Sequence, residues 1–135
     1  MTSCVFCRIV KREAPASIVH EETHYLAFLD AHPQSRGHLQ LIPKTHVRRI
    51  YDIPDMGEIF SLAQRIIRAI ILVLGADHAV LGSFGNEVEH AHIWIVPQYG
   101  RGEIVTEGAR VRGSVGSYET LSKLLHDCIQ KEVRG

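Results

Sequence analysis

Residues 57–75 read GEIFSLAQRIIRAIILVLG, and no other stretch limits the fold as tightly. Ile59, Phe60, Ala63, Ile66, Ile67, Ile70, Ile71 and Leu74 recur at helical spacing. Arg65 and Arg68 fall off that stripe, and Gly75 is the residue type that ends a helix in the left-handed conformation. The spacing predicts one long amphipathic helix. Its apolar stripe is wide, so the helix is expected either to be deeply buried or to be shared with a second subunit.

Around that helix the chain reads mostly as strands. SIVHEE (17–22) and HYLAFLD (24–30) form two short strands joined by a polar turn. DAHPQSRGH is a loop rich in turn residues. HLQLIP (38–43) alternates His38, Gln40 and Ile42 against Leu39 and Leu41, as a strand that Pro43 ends. HAVLGSFG (78–85) is a strand and turn, and EHAHIWIVP (89–97) is the last strand, with Pro97 expected to stop it. VFCRIVKRE has weak helical spacing, and RGEIVTEGARVRGSVG (101–116) reads as a loop. SYETLSKLLHDCIQKEV is a C-terminal helix that Ser117 can cap. Strands on short turns with one long helix predict an α+β fold with an antiparallel sheet.

At 135 residues and 45% hydrophobic composition, the chain suits one domain with one core. No apolar run is long enough to span a membrane, and the N-terminus has no visible signal peptide. A formal charge of zero argues against a protein built to neutralise nucleic-acid phosphate. Three cysteines, Cys4, Cys7 and Cys128, fit a reducing compartment, so a cytoplasmic location is expected. Nine histidines are many for this length and raise the weight of metal or phosphoryl chemistry.

Two of those histidines sit in EHAHIWIVP. On a strand, residues two apart share a face, so His90, His92 and Trp94 lie together and Ala91, Ile93 and Ile95 face the other way, toward the expected core. One such histidine would read as a satisfied, half-buried residue. Two on one face can be metal ligands, an acid and a base, or include a nucleophile toward phosphorus.

HAHIWIVPQY resembles the signature strand of the histidine triad (HIT) family. AFLDAHPQSRGHLQLIPKTHV is similar to that family's other signature, and CVFCRIVKREAPASIVHEE to the N-terminal segment of its zinc-containing branch. The similarity spans nearly the whole chain, in one order with matching gaps. It implies a HIT-like α+β domain that forms a two-fold dimer. It also implies a hydrolase or nucleotidyl transferase acting on the α-phosphate of a purine nucleotide conjugate, either a phosphoramidate or a dinucleoside polyphosphate. By position His92 is the implied nucleophile, forming a nucleotidyl-histidine, and His38 the implied donor to a phosphate oxygen. Asp30 matches the ribose-binding carboxylate. Phe6, Ile9 and Phe28 match the base-pocket wall, and Asn86 and Val88 the loop at the phosphate. The partners expected are a nucleotide substrate and a second copy of the chain.

Cys4 and Cys7 form C-x-x-C, which can clasp a tetrahedral cation if two further ligands are found. The resemblance supplies His46 and His90, giving a closed and therefore structural zinc site. No organic cofactor is implied.

Two positions depart from the family pattern. Trp94 stands where the third histidine belongs, and it either fills part of the pocket or stacks on a base. Glu87 replaces a phosphate-binding hydroxyl in a shortened loop, GSFGNEVEH. These departures motivate a second reading, a nucleotide-binding or regulatory homologue with weakened catalysis. A third is a zinc hydrolase with His90 and His92 as metal ligands.

Overall fold

The computed structural model describes residues 3–100 and 115–134. In chain order the elements are α1 (Val5–Val10), β1 (Ser17–Glu21), β2 (Tyr25–Leu29), β3 (Leu39–Pro43), a 3-10 turn (Ile50–Asp52), α2 (Met56–Leu74), β4 (His78–Gly82), β5 (Ile93–Gln98) and α3 (Val115–Arg134). The five strands make one antiparallel sheet in the order β1-β2-β3-β5-β4. The fold is α+β. Most of the loop expected over 101–116 lies outside the described residues. No described helix is long and apolar enough to cross a membrane.

α2 is the helix that the periodicity predicts. The Asp55 carboxylate accepts from the backbone N–H of Gly57 at its start, and Gly75 closes it at φ +68°. Ile59, Leu62, Ala63, Ile66, Ala69 and Ile70 are buried on one side, against β5 residues Ile93 and Ile95 and α3 residues Leu121, Leu125 and Ile129. A buried isoleucine is worth roughly 2–3 kcal/mol relative to an exposed one, so this face anchors the fold. Phe60 and Leu72 remain exposed. α3 begins at Val115, which places Ser117 inside the helix rather than at its cap.

The sheet has two occupied faces. Leu39, Leu41, Ala91, Ile93 and Ile95 point to the α2–α3 side, as expected. Leu26, Phe28 and Ile42 point the other way, where α1 lays Phe6 and Ile9 on them. His90 and His92 stand just before β5, held extended by the Ala91 N–H bond to the Val47 carbonyl at 2.7 Å.

Pro97 does not stop the strand. It lies within β5, opposite Ala79 of β4. Its carbonyl accepts from Ser35 Oγ at 2.5 Å, on the side where β3 pairing has already ended at Leu39–Ile95. A residue's N and carbonyl point to the same side of a strand, so the missing N–H removes no ladder bond.

Candidate functional site

Cys4 caps the start of α1, its Sγ accepting from the Cys7 backbone N–H at 3.4 Å. That geometry brings both thiols to one helix end. His46 follows β3, and His90 precedes β5, the strand beside it. Cys4 Sγ lies 3.3 Å from His90 Nδ1, Cys7 Sγ 3.2 Å from His46 Nδ1, and the two Nδ1 atoms 3.2 Å apart. All four ligand atoms fall within 4.8 Å of one another. A tetrahedral zinc ion with ordinary bond lengths keeps its nitrogen and sulfur ligands roughly 3.3–3.8 Å apart, so this donor set fits one closely. His90 Nε2 donates to the Pro43 carbonyl at 2.8 Å, which leaves Nδ1 as the lone pair facing the thiols. Burial holds His90 below the ordinary histidine range, against the opposing pull of that Pro43 bond.

His92 is not in this cluster. Its Nδ1 donates to the His90 carbonyl at 2.9 Å, so its Nε2 carries the lone pair. That lone pair accepts the backbone N–H of Phe84 at 3.0 Å. Burial depresses the protonation of His92. The bond to the His90 carbonyl opposes this, and Arg49 adds to it. The ring is therefore a neutral imidazole whose reactive nitrogen lies under the loop after β4.

Asp30 follows β2 directly and is tied from two sides. Its Oδ1 accepts from the His32 N–H at 2.8 Å, and its Oδ2 from Gln40 Nε2 at 2.9 Å. His38 is fully buried behind it. The Gln34 N–H donates to His38 Nδ1 at 3.0 Å, so Nε2 carries the proton. That N–H sits 3.5 Å from Asp30 Oδ2 and has no hydrogen-bond partner among the described residues. Burial pushes the His38 pKa down, and the Asp30 charge partly opposes this. Trp94 packs on the His38 ring with centroids 4.7 Å apart, and the Phe84 ring packs on Trp94 at the same distance.

A cavity of about 780 Å³ opens over these groups. Phe6, Ile9, Phe28, Asp30, Asn86, Val88, His92 and Trp94 all line it, together with Glu87. His38 does not line it and lies beneath Trp94. Phe6 connects the two regions, with its ring edge-on to Phe28, His90 and His92. Two participants have no counterpart in the sequence reading. Gln40 anchors Asp30, and its only signal was a polar residue sharing a strand face with His38. Phe84 reaches His92 through its backbone, which no side-chain pattern reports.

A family model described as the HIT domain matches residues 11–101. An uncharacterized HIT-like protein of Methanocaldococcus jannaschii is 36% identical over 113 residues, covering 78% of this chain and 87% of that protein. The adenosine 5′-monophosphoramidase of Saccharomyces cerevisiae is 34% identical over 102 residues, covering 71% of this chain and 63% of that enzyme. The crystal structure of a Zn-bound histidine triad family protein from Mycobacterium smegmatis matches with a TM-score of 0.79 at 32% identity, over 98% of this chain and 96% of that one. By the matched span and these likenesses, the chain belongs to the HIT domain family.

Proposed function

We propose that this protein hydrolyses or transfers the nucleotidyl group of a purine nucleotide conjugate through His92. The observation that carries the reading is the fixed tautomer of His92, with Nδ1–H on the His90 carbonyl and an unprotonated Nε2 in the wall of the cavity. A neutral imidazole attacks phosphorus without first losing a proton. Nε2 forms its bond to the α-phosphorus as the bond to the leaving group breaks. The leaving group departs with that electron pair and takes a proton from solvent. Water then attacks the same phosphorus, the Nε2–P bond breaks, and a monophosphate is released.

The other residues take roles consistent with their positions. Asp30 presents carboxylate oxygens to the ribose hydroxyls, held in place by His32 and Gln40. Phe6, Ile9 and Phe28 offer the base an apolar wall, and Asn86 and Val88 border the phosphate. His38 stiffens Asp30 and Trp94 from below. The monophosphoramidase relative supports a phosphoramide substrate. Trapping tests the reading: wild type is quenched with adenosine 5′-phosphoramidate and searched by mass spectrometry for a nucleotide on His92. An adduct supports it, and monophosphate release with His92 unmodified under rapid quench overturns it.

One observation favours a second reading, that of a nucleotide-binding homologue with weakened catalysis. The Phe84 N–H occupies the lone pair that the reaction needs. Tight nucleotide binding with neither adduct nor product would decide for that reading.

We further infer that Cys4, Cys7, His46 and His90 hold a structural zinc ion. All four positions are filled by protein ligands, so none is open for water. Zinc would tie α1 to the segment that leads into β5. A two-fold dimer fits the apolar side chains left exposed on α2 and β4, namely Phe60, Leu72 and Leu81. Two metal-ligating thiols suit the reducing cytoplasm.

A further inference from the structure

This inference rests on the reading of His92 as nucleophile. The cavity has two unlike apolar walls. Phe6, Ile9 and Phe28 make one, on α1 and β2, while Val80, Phe84 and Trp94 make the other, on β4, the loop after it and β5. β3 separates them in the sheet. A nucleotide has one base. With the base on the first wall, the ribose at Asp30 and the phosphate at His92, the second wall faces the leaving group.

Charge, shape and chemistry each describe the group that fits there. Among the described residues lining the cavity, Asp30 and Glu87 are carboxylates and none is a lysine or arginine. A polyphosphate leaving group would meet like charge there, and Arg49, whose charge reaches His92, stands outside the lining and is paired with Glu89. The Phe84 ring is 50% exposed and lies on Trp94 at a 59° tilt, so a flat apolar group can take its place there. Trp94 has no proton to give at neutral pH. An alkyl amine leaves phosphorus only when protonated. An aryl amine spreads its lone pair into the ring and depends less on a proton donor.

Phe84 joins this wall to the nucleophile. Its ring covers Trp94, and its own N–H occupies Nε2 of His92 at 3.0 Å. A group that displaces the ring also moves the amide. We propose that Phe84 and Trp94 determine specificity by selecting an uncharged aryl amine as leaving group, which replaces the Phe84 ring on Trp94 and so frees His92. Nε2 bonds to phosphorus as the P–N bond breaks, and the amine leaves with that electron pair and takes one proton from solvent.

The test compares three conjugates on the full-length protein: adenosine 5′-phosphoranilidate, unsubstituted adenosine 5′-phosphoramidate and diadenosine tetraphosphate. The anilidate is expected to have the highest kcat/KM, by at least about tenfold over the phosphoramidate. Trp94→Leu is expected to bring these two substrates within about threefold of each other. Parity in wild type, or a preference that survives Trp94→Leu, overturns the inference while the His92 reading stands. No turnover and no adduct with any of the three overturns both. Trp94 is the chain's one tryptophan, so its fluorescence gives a second readout that needs no variant. Its emission is expected to change when wild type binds the anilidate and to stay constant with the phosphoramidate. An equal response to both overturns the inference.

Discussion

Nε2 of His90 donates to the carbonyl of Pro43 at 2.8 Å, and that bond decides what the opposite nitrogen can do. With the proton fixed on Nε2, Nδ1 is a lone pair aimed at Cys4 and Cys7. Zinc binding is therefore expected to need no change of tautomer at His90. Removing zinc with a chelator should lower stability by roughly 3–4 kcal/mol, or about 10 °C in Tm. Cys7→Ser should do the same and lose the metal. Elemental analysis with thermal melts of both proteins checks this. Unchanged Tm after complete metal removal would rule out a structural role.

Gly37 sets His38 in place. The His38 N–H bonds to the Ser35 carbonyl at 3.1 Å across a tight turn, with Gly37 at φ +88°. That conformation disfavours any side chain, and a Cβ here would also sit 2.5 Å from Leu74 Cδ1. Gly37→Ala is expected to destabilise the protein by about 2–4 kcal/mol. Gly85→Ala is the contrast, because its Cβ meets only the movable end of Arg49. It should cost no more than about 1 kcal/mol, as urea titration of the two variants would measure.

The elements legible in the sequence were those with a period. α2 announced itself through a stripe that repeats every turn and a glycine at its end. The strand reading of His90 and His92 gave the right faces, because alternation survives just outside the ladder. Pro97 misled, since whether a proline ends a strand depends on which neighbour its nitrogen faces, and that is a property of the sheet. Cys4 and Cys7 are local and readable, whereas His46 and His90 reach them only through tertiary structure. Without the family resemblance no spacing would have named them. Phe84 was invisible for a different reason, as it acts through a backbone N–H set by loop geometry.

His38 makes stability depend on pH. Burial lowers its folded pKa below the ordinary 6.5, and Asp30 only partly opposes this. Between the folded value and 6.5 the unfolded chain binds the extra proton. Stability from this group is therefore complete above about pH 6.5 and falls as pH drops through it, levelling out below the folded value. His90 and His92, whose pKa values burial also lowers, slope the same way. His38→Asn keeps an acceptor for the Gln34 N–H and removes the titration, so its Tm should fall less steeply between pH 7.5 and 5. Parallel curves for the two proteins would remove His38 from the account.

His92→Ala should cut turnover by at least about 10³-fold, because the other histidine among the described residues lining the cavity, His32, stands with Asp30 on the ribose side. His38 cannot substitute, since it is buried beneath Trp94 with its proton toward Asp30. The variant also loses the bond to the His90 carbonyl and frees the Phe84 N–H. The Phe84 N–H lies at the cavity edge, where water can replace the lost partner, whereas the His90 carbonyl is buried, so the fold should survive at a cost of about 1–3 kcal/mol. His92→Asn restores an N–H for the His90 carbonyl without a nucleophile. It should recover most of that stability and none of the turnover. Circular dichroism melts and a monophosphate release assay on the three proteins separate the two effects. Appreciable turnover in His92→Asn would mean that the reaction runs by direct attack of water on phosphorus rather than through the histidine.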